Sequence, residues 1–173
     1  MINAFLADVA KHIIAESTAL QATRDARHIF NVKASADIDN GRLINLDDMK
    51  YVENEYWTMV TPTATKRVGL ILSVPVGADE TPWKATLESN FYNGKDEIMR
   101  VYDLMAGDRF TVSANGIDGD AAVKTGAYIV ADGNNLKAQA AAPADSVAFV
   151  GEIIEKITRT NGVFYKIFVR KNG

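Results

Sequence analysis

The order of apolar and polar positions changes near residue 30, and before that point it has the period of a helix. An apolar seam runs at steps of three and four residues and is interrupted at Glu16. Such steps are typical of one face of an α-helix, and Asn3 is a residue type that caps a helix N-terminus. The pattern predicts a helix from Asn3 to about His28. The seam consists of Ile2, Leu6, Val9, Ile13 and Leu20.

A helix of that length would be long for the rest of the chain. At 1.5 Å per residue it would extend about 39 Å, whereas a compact chain of this size has a radius of gyration of roughly 16 Å. The seam also weakens after Leu20, in the polar run "QATRDARH". We therefore expect a shorter helix, or an arm that is ordered only against a partner, over residues 1–30 and a β-rich domain over residues 31–173.

After residue 30 the period falls to two, and short apolar runs alternate with Gly, Asn, Asp and Pro. Valine, isoleucine and aromatic residues are concentrated in the runs, which is typical of β-strands. Many short strands without helices between them indicate an antiparallel β-barrel or sandwich built from hairpins. The predicted strands lie in "NVKASADI", "EYWTMVTP", "KRVGLILSVPV", "IMRVYDL", "DRFTVSA", "GAYIVAD", "FVGEIIEKI" and "VFYKIFVRK".

Apart from the last two residues, Asn-Gly occurs four times, at 40–41, 93–94, 115–116 and 161–162. This dipeptide accepts positive φ at both central positions of a turn and is a strong hairpin signal. For the last hairpin, a three-residue loop from Thr160 to Gly162 gives the better cross-strand pairs. That register sets Ile157 opposite Tyr165, Ile153 opposite Val169, and Glu152 opposite Arg170.

Two aspartates precede the first Asn-Gly, in "SADIDNGRLINL". A two-residue turn at Asn40-Gly41 would make Asp39 a neighbour of Arg42 and leave Asp37 in solvent. A calcium loop of the EF-hand type needs its glycine one residue later and a closing glutamate. The stretch is therefore interpreted as a hairpin tip rather than a metal site.

The other candidate functional residues each have a plain structural explanation as well as a functional one. The loop Asn115–Val123 is acidic and rich in glycine, but calcium-binding turns of that kind are repeated, and this one occurs once. His12 and His28 are sixteen residues apart, too far along one helix to share a metal, and are predicted to face solvent.

Paired carboxylates and scattered aromatics leave two further functions open. Carboxylate pairs such as Glu53/Glu55 and Asp47/Asp48 would suit a glycosidase only at a defined separation in space, and a solvated face is the plainer interpretation. The aromatics would suit a sugar-stacking surface, although strand aromatics are normally buried. We predict that the chain is not an enzyme and has no catalytic residue, metal or cofactor. The aromatics are Tyr56, Trp57, Trp83, Phe91 and Tyr92.

Composition removes several classes of partner. The net charge of −3 over 173 residues gives no basic field for nucleic acid. There is no cysteine, which removes disulfides and thiolate chemistry. The apolar runs are shorter than the roughly 20 residues of a membrane-spanning helix, and the N-terminus does not read as a signal peptide. We expect neither a nucleic-acid nor a membrane partner.

From about Ala36 to the C-terminus, the chain resembles the head decoration (cement) proteins of tailed bacteriophages, in particular the family seen in phages of Gram-positive hosts. The landmarks are "ADIDNGRLINL", the proline-bearing "LILSVPVGADE", the Asn-Gly of "YNGKDE", "VKTGAYIVADGNNLKA" and "FVGEIIEK". Residues 1–28 depart from the family's pattern. The central run matches the family's spacing at Arg100, Tyr102, Leu104, Gly107, Asp108 and Phe110.

The resemblance implies a structural virion protein that binds the outer surface of a phage capsid and stabilises the mature head. Its partner would be the major capsid protein, it would be a homo-oligomer, and it would be made in the host cytoplasm. The alternative is a carbohydrate- or small-ligand-binding β module on a virion or cell surface. Deleting residues 1–20 is predicted to leave the β domain folded but to impair attachment. The candidate capsid or oligomer contacts are Ile2, Phe5, Leu6, Val9, Ile13 and Leu20.

Overall fold

A computed structural model describes residues 12–24, 26–75, 88–119 and 122–173. Short 3₁₀ helices occupy Gln21–Thr23, Ala26–His28, Glu88–Asn90 and Ala114–Gly116. The strands in these ranges are β1 (Ala15–Ala19), β2 (Ile29–Lys33), β3 (Leu43–Asn45), β4 (Tyr51–Val52), β5 (Tyr56–Thr58), β6 (Val68–Ile71), β7 (Ile98–Asp103), β8 (Arg109–Ser113), β9 (Ile117–Asp118), β10 (Tyr128–Asp132), β11 (Asn135–Gln139), β12 (Phe149–Arg159) and β13 (Gly162–Asn172).

The strands form two curled sheets that pack as a sandwich or half-barrel, which confirms the predicted mainly β fold. One sheet has the order β1-β8-β13-β12-β10-β11-β9, and the other has the order β3-β6-β7-β2-β5-β4. Both sheets are mixed, because β9 runs parallel to β11 and β2 runs parallel to β5. The remaining strand pairs are antiparallel.

Two apolar cores account for the patterning of the central strands. The larger core combines side chains of both sheets, such as Leu70 and Phe110. The smaller core lies on the other face of the six-stranded sheet and includes Ile71 and Met99. Strand β6 is apolar at every position because successive residues point to opposite faces, and both of its faces are covered.

The predicted N-terminal helix is wrong over the described residues. Strand β1 pairs antiparallel with β8 at the edge of the seven-stranded sheet, and the short 3₁₀ helix Gln21–Thr23 follows it. Ile13, Ile14 and Leu20 are buried, so this segment is part of the β domain's core rather than a separate arm. The apolar residues of this segment have helical spacing by chance. The segment forms a strand, and its partner strand lies about 95 residues later in the sequence.

The C-terminal hairpin is present, but its predicted register is wrong. The turn is Thr160-Asn161, with Arg159 opposite Gly162. A bulge between Ile153 and Glu155 then shifts the pairing by one residue. The expected ion pair survives diagonally, since Arg170 Nη2 lies 2.5 Å from Glu152 Oε2.

The predicted first hairpin is also wrong, although its turn exists. Gly41 has a φ of +80°, which favours glycine. However, the strands on the two sides of the turn pair elsewhere: β2 with β5 and β7, and β3 with β6. Ile38 instead forms an isolated bridge with Asn93. Asp39 therefore has no strand partner at Arg42.

The β4–β5 turn has strained backbone at two residues other than glycine. Glu53 and Asn54 have φ values of +53° and +56°, and a left-handed conformation costs an ordinary L-residue roughly 1–2 kcal/mol. Asn tolerates this region better than Glu does. The strain is therefore concentrated at Glu53.

Replacing Glu53 by Gly should raise the free energy of unfolding by about 0.5–1 kcal/mol, because glycine adopts positive φ without steric cost. Urea denaturation would measure the change. Glu55→Gly is the matched control: Glu55 is not among the residues with positive φ, so glycine there should lower stability through the freer unfolded chain. Equal effects at the two positions would contradict the assignment of strain.

Candidate functional site

The structure describes two of the six candidate contact residues, and it places both in the core. Ile13 and Leu20 are each only 3% exposed. Ile13 fits against glycine backbone: a Cβ added at Gly41 or Gly116 would lie 3.1 or 2.7 Å from its Cγ2. These two residues are internal contacts and present no surface to a partner. The other four, Ile2, Phe5, Leu6 and Val9, lie outside the described residues.

Asp39 holds the start of the described N-terminal segment. Its Oδ1 lies 2.7 Å from His12 Nδ1, and its Oδ2 accepts the backbone N–H of Ile13 at 3.2 Å. The His12 ring stacks on Tyr92 with centroids 4.9 Å apart. The predicted solvent-facing position of His12 is therefore wrong, as is the pairing of Asp39 with Arg42. Asp37 is exposed, as expected, and it also accepts the backbone N–H of Lys95 at 2.8 Å.

Strand β8 supplies a second hold at its C-terminal end. Ser113 Oγ accepts the backbone N–H of Ile14 at 2.9 Å and hydrogen-bonds Asn115 Oδ1 at 2.6 Å. The amide of Asn115 donates in turn to the carbonyl of His12 at 3.3 Å. The third Asn-Gly of the sequence therefore lies in a 3₁₀ helix that grips the N-terminal segment, and forms no hairpin.

Asp108 supplies the third hold and has no solvent exposure at all. Its Oδ1 accepts the backbone N–H of Gln21 at 2.9 Å, and its Oδ2 accepts that of Met105 at 2.8 Å. Gly107 before it has a φ of +98°. The carboxylate thus closes the β7–β8 turn and fastens the chain just after Leu20.

Side-chain contacts of β1 complete this attachment. Arg159 donates to both carboxylate oxygens of Glu16, at 2.5 and 3.0 Å, and this bond raises the pKa of Arg159 against the opposing effect of desolvation. The Thr18 and Thr111 hydroxyls are 3.0 Å apart. We call four of the residues that hydrogen-bond to residues 12–24 the anchor site. They are Asp39, Asp108, Ser113 and Arg159.

A groove of about 310 Å³ runs beside β1. One wall is the β1 segment and the other is residues 72–75, in which Val74 is 60% exposed. Glu16 and Glu88 also line the groove. It follows the outer edge of β1, which pairs with no strand other than β8 in the described ranges.

His28 belongs to a separate group of polar side chains around the buried carboxylate of Asp103. Its Nδ1 lies 3.3 Å from Asp103 Oδ2, and Arg67 Nη1 lies 3.5 Å from the same oxygen. Asp103 is only 3% exposed, and its Oδ1 has no hydrogen-bond partner in the described part of the chain. His28 ends the short 3₁₀ helix Ala26–His28, and its side chain is 37% exposed, so the expected exposure is present, although the imidazole also contacts a carboxylate at the end of β7.

The carboxylate pair Asp47/Asp48 belongs to a turn. Asn45 Oδ1 accepts the backbone N–H of both residues, and its amide donates to Asp48 at 2.7 Å. This bond, followed by the one from Lys66, lowers the pKa of Asp48. A glycosidase acid needs a raised carboxyl pKa, so the shift at Asp48 is in the opposite direction.

The glycine-rich loop and the aromatics of the sequence have ordinary structural contacts where the structure describes them. In the loop Asn115–Val123, Asp118 accepts a bond from Asn135 at 2.8 Å. No group of three or more acidic or histidine side chains suited to a metal is present among the described residues. Of the aromatics, Trp83 lies outside the described ranges, whereas Trp57 is half-buried and contacts Phe30 and Tyr51.

Comparison of the chain with protein-family models, with curated proteins and with solved structures found no match. Within the described ranges, no helix has the length and apolar character needed to cross a membrane.

Proposed function

We propose that the protein is a structural virion protein that binds the outer surface of a phage capsid as a homo-oligomer and stabilises the mature head. The proposal rests on the sequence resemblance taken together with the anchor site. Two landmark residues of the resemblance, Asp39 and Asp108, are carboxylates that fasten the N-terminal segment to the β domain. Two residues of the family's pattern therefore hydrogen-bond to the same N-terminal segment.

This attachment suits a protein that must carry mechanical load. Strand β1 runs antiparallel to β8, and β8 pairs with the eleven-residue strand β13. A force applied through residues 1–11 would reach a strand that is held by a ladder of hydrogen bonds and by the anchor site. Many copies on a symmetric shell gain avidity from linked contacts, so each contact is allowed to be modest.

The proposed contacts with the major capsid protein, or with another copy, are Ile2, Phe5, Leu6 and Val9. These apolar residues directly precede the anchored segment in the sequence. Ile13 and Leu20 have a different role in the proposal, because their burial ties that segment to the core. The proposed contact residues thus precede the two buried residues in the sequence, and the two sets do not overlap.

Co-sedimentation of the full chain with undecorated mature capsids tests the proposal. The wild type should bind at micromolar concentration, and Phe5→Ser/Leu6→Ser should weaken binding at least about tenfold, equivalent to roughly 1.4 kcal/mol. Ile154→Ser is the control, because Ile154 is an exposed apolar residue of β12 and should be tolerated. Absence of wild-type binding, or an equal loss in the control, would refute the proposal.

A further inference from the structure

An aromatic pair with one exposed member occupies the outer edge of the six-stranded sheet. Tyr51 on β4 lies opposite Trp57 on β5, and Trp57 lies beside Val32 on β2. Exposure falls along this row from 53% at Tyr51 to 0% at Val32, with Trp57 half-buried between them. The aromatic pair is therefore the solvent-facing end of a row that begins in the smaller core.

The core holds the rings of this pair in place. The Trp57 and Tyr51 centroids are 5.1 Å apart, with an interplanar angle of 40°. Phe30 meets Trp57 edge-on, with centroids 5.9 Å apart. A ring surface fixed by its neighbours loses little conformational freedom when it binds a ligand, which favours affinity. We call Tyr51 and Trp57 the aromatic platform.

Exposed polar groups adjoin the platform. The turn residues Glu53, Asn54 and Glu55 are exposed, and within the described residues no ion pair involves either glutamate. Thr58 N–H bonds the carbonyl of Lys50, so the alternation of an antiparallel pair directs the N–H and C=O of Tyr51 to the outer edge. Carboxylates and edge backbone thus offer acceptors and a donor beside the exposed ring.

The backbone strain at Glu53 lies in this same turn. Strained residues concentrate at ligand-binding and other functional sites, where the surrounding structure maintains them. At Glu53 the strain costs stability, and the positive φ values at Glu53 and Asn54 fix a tight turn directly beyond the platform. The polar side chains of this tight turn therefore follow Tyr51 closely in the sequence.

We propose that the aromatic platform and the β4–β5 turn form a binding site for a glycan. A pyranose ring with equatorial hydroxyls has apolar C–H faces that pack on aromatic rings, while its hydroxyls donate to carboxylates and backbone carbonyls. Binding sites that combine aromatic surface with a few placed polar groups are the usual arrangement for small ligands. β-Linked glucose and N-acetylglucosamine chains present such faces along their length. This binding would be additional to capsid attachment and does not depend on it.

Isothermal titration of the full chain with cellohexaose and with the hexamer of β-1,4-linked N-acetylglucosamine tests the proposal, with maltohexaose as the α-linked comparison. At least one β-linked hexamer should bind more tightly than maltohexaose. Tyr51→Ala should weaken that binding at least about tenfold, and Tyr51→Phe should retain most of it. Ile98→Ala, which alters an exposed residue of β7 in the same sheet, should bind as the wild type does.

Three results would overturn the proposal. The first is no binding of either β-linked hexamer at about 10 mM, well above the millimolar affinities of weak ligands. The second is unchanged binding by Tyr51→Ala. The third is a change of oligomeric state in Tyr51→Ala, measured by sedimentation, without any glycan binding, since this would assign the edge to a second copy of the chain. Phe5→Ser/Leu6→Ser should bind the hexamer normally, which separates this outcome from a failure of capsid attachment.

Discussion

Deleting residues 1–20 should unfold the β domain, whereas deleting residues 1–11 should leave it folded. The longer deletion removes β1 together with Ile13, Ile14 and Leu20, which are 3–4% exposed. Burial of one such side chain contributes about 1.5–3 kcal/mol, so the three together contribute roughly 5–9 kcal/mol. Domains of this kind have total stabilities of about 5–15 kcal/mol, and the loss would consume most of that.

Circular dichroism and urea denaturation of both truncations would measure the effect. A cooperative, near-native transition in the 1–20 deletion would show that the segment is dispensable, as the sequence pattern alone predicts. The 1–11 deletion also matters for capsid attachment: it should stay folded but lose binding, because it removes the proposed contacts and leaves the anchor site intact. Loss of binding in a folded protein separates a contact role from a structural one.

The β domain was predictable because its strand signals are local. Each of the eight predicted strand segments overlaps an observed strand, since alternation and turn residues act over a few positions. Strand β11 is not predicted by the same criterion, because "NLKAQ" has no β-branched residue. Its signal is Asp132-Gly133, a hairpin dipeptide, and Gly133 does have a φ of +58° between β10 and β11.

The N-terminal segment was not predictable, because its conformation depends on a distant strand. Ile13 and Leu20 are seven residues apart, a spacing that fits a helical face. The segment forms a strand because the backbone of β8, at the edge of its sheet, can hydrogen-bond to it. The apolar pattern of residues 1–30 contains no information about that edge. The register of the last hairpin was wrong at the turn itself, because the turn consists of Thr160-Asn161 and not of the three residues Thr160 to Gly162.

The anchor site was visible in the sequence only as landmarks. Asp39 and Asp108 stand out as a turn residue and as part of a resemblance, yet their partners lie 26 and 87 residues away. A carboxylate after a glycine in a short turn, as at Gly107-Asp108, does indicate a cap for nearby N–H groups. It does not indicate that its second oxygen holds a segment near the N-terminus.

Replacing Asp108 by Ala should lower the free energy of unfolding by about 3–5 kcal/mol. Hydrogen bonds to charged groups contribute roughly 1.5–3 kcal/mol each, and the substitution leaves the partly buried N–H groups of Gln21 and Met105 without their acceptor. Asp108→Asn keeps one acceptor oxygen and should lose about half as much. Both changes would be measured by urea denaturation.

Asp96→Asn is the matched control for this substitution. Asp96 is exposed and only 3.7 Å from Lys33 in a loose ion pair, and Asn tolerates its φ of +69°, so the change should stay within about 0.5 kcal/mol. If Asp108→Ala were no worse than this control, the carboxylate would not be fastening the N-terminal segment. If Asp108→Ala unfolds the chain as the 1–20 deletion does, the turn before β8 and the segment near β1 form one cooperative unit. A force on residues 1–11 would then be resisted by the whole seven-stranded sheet.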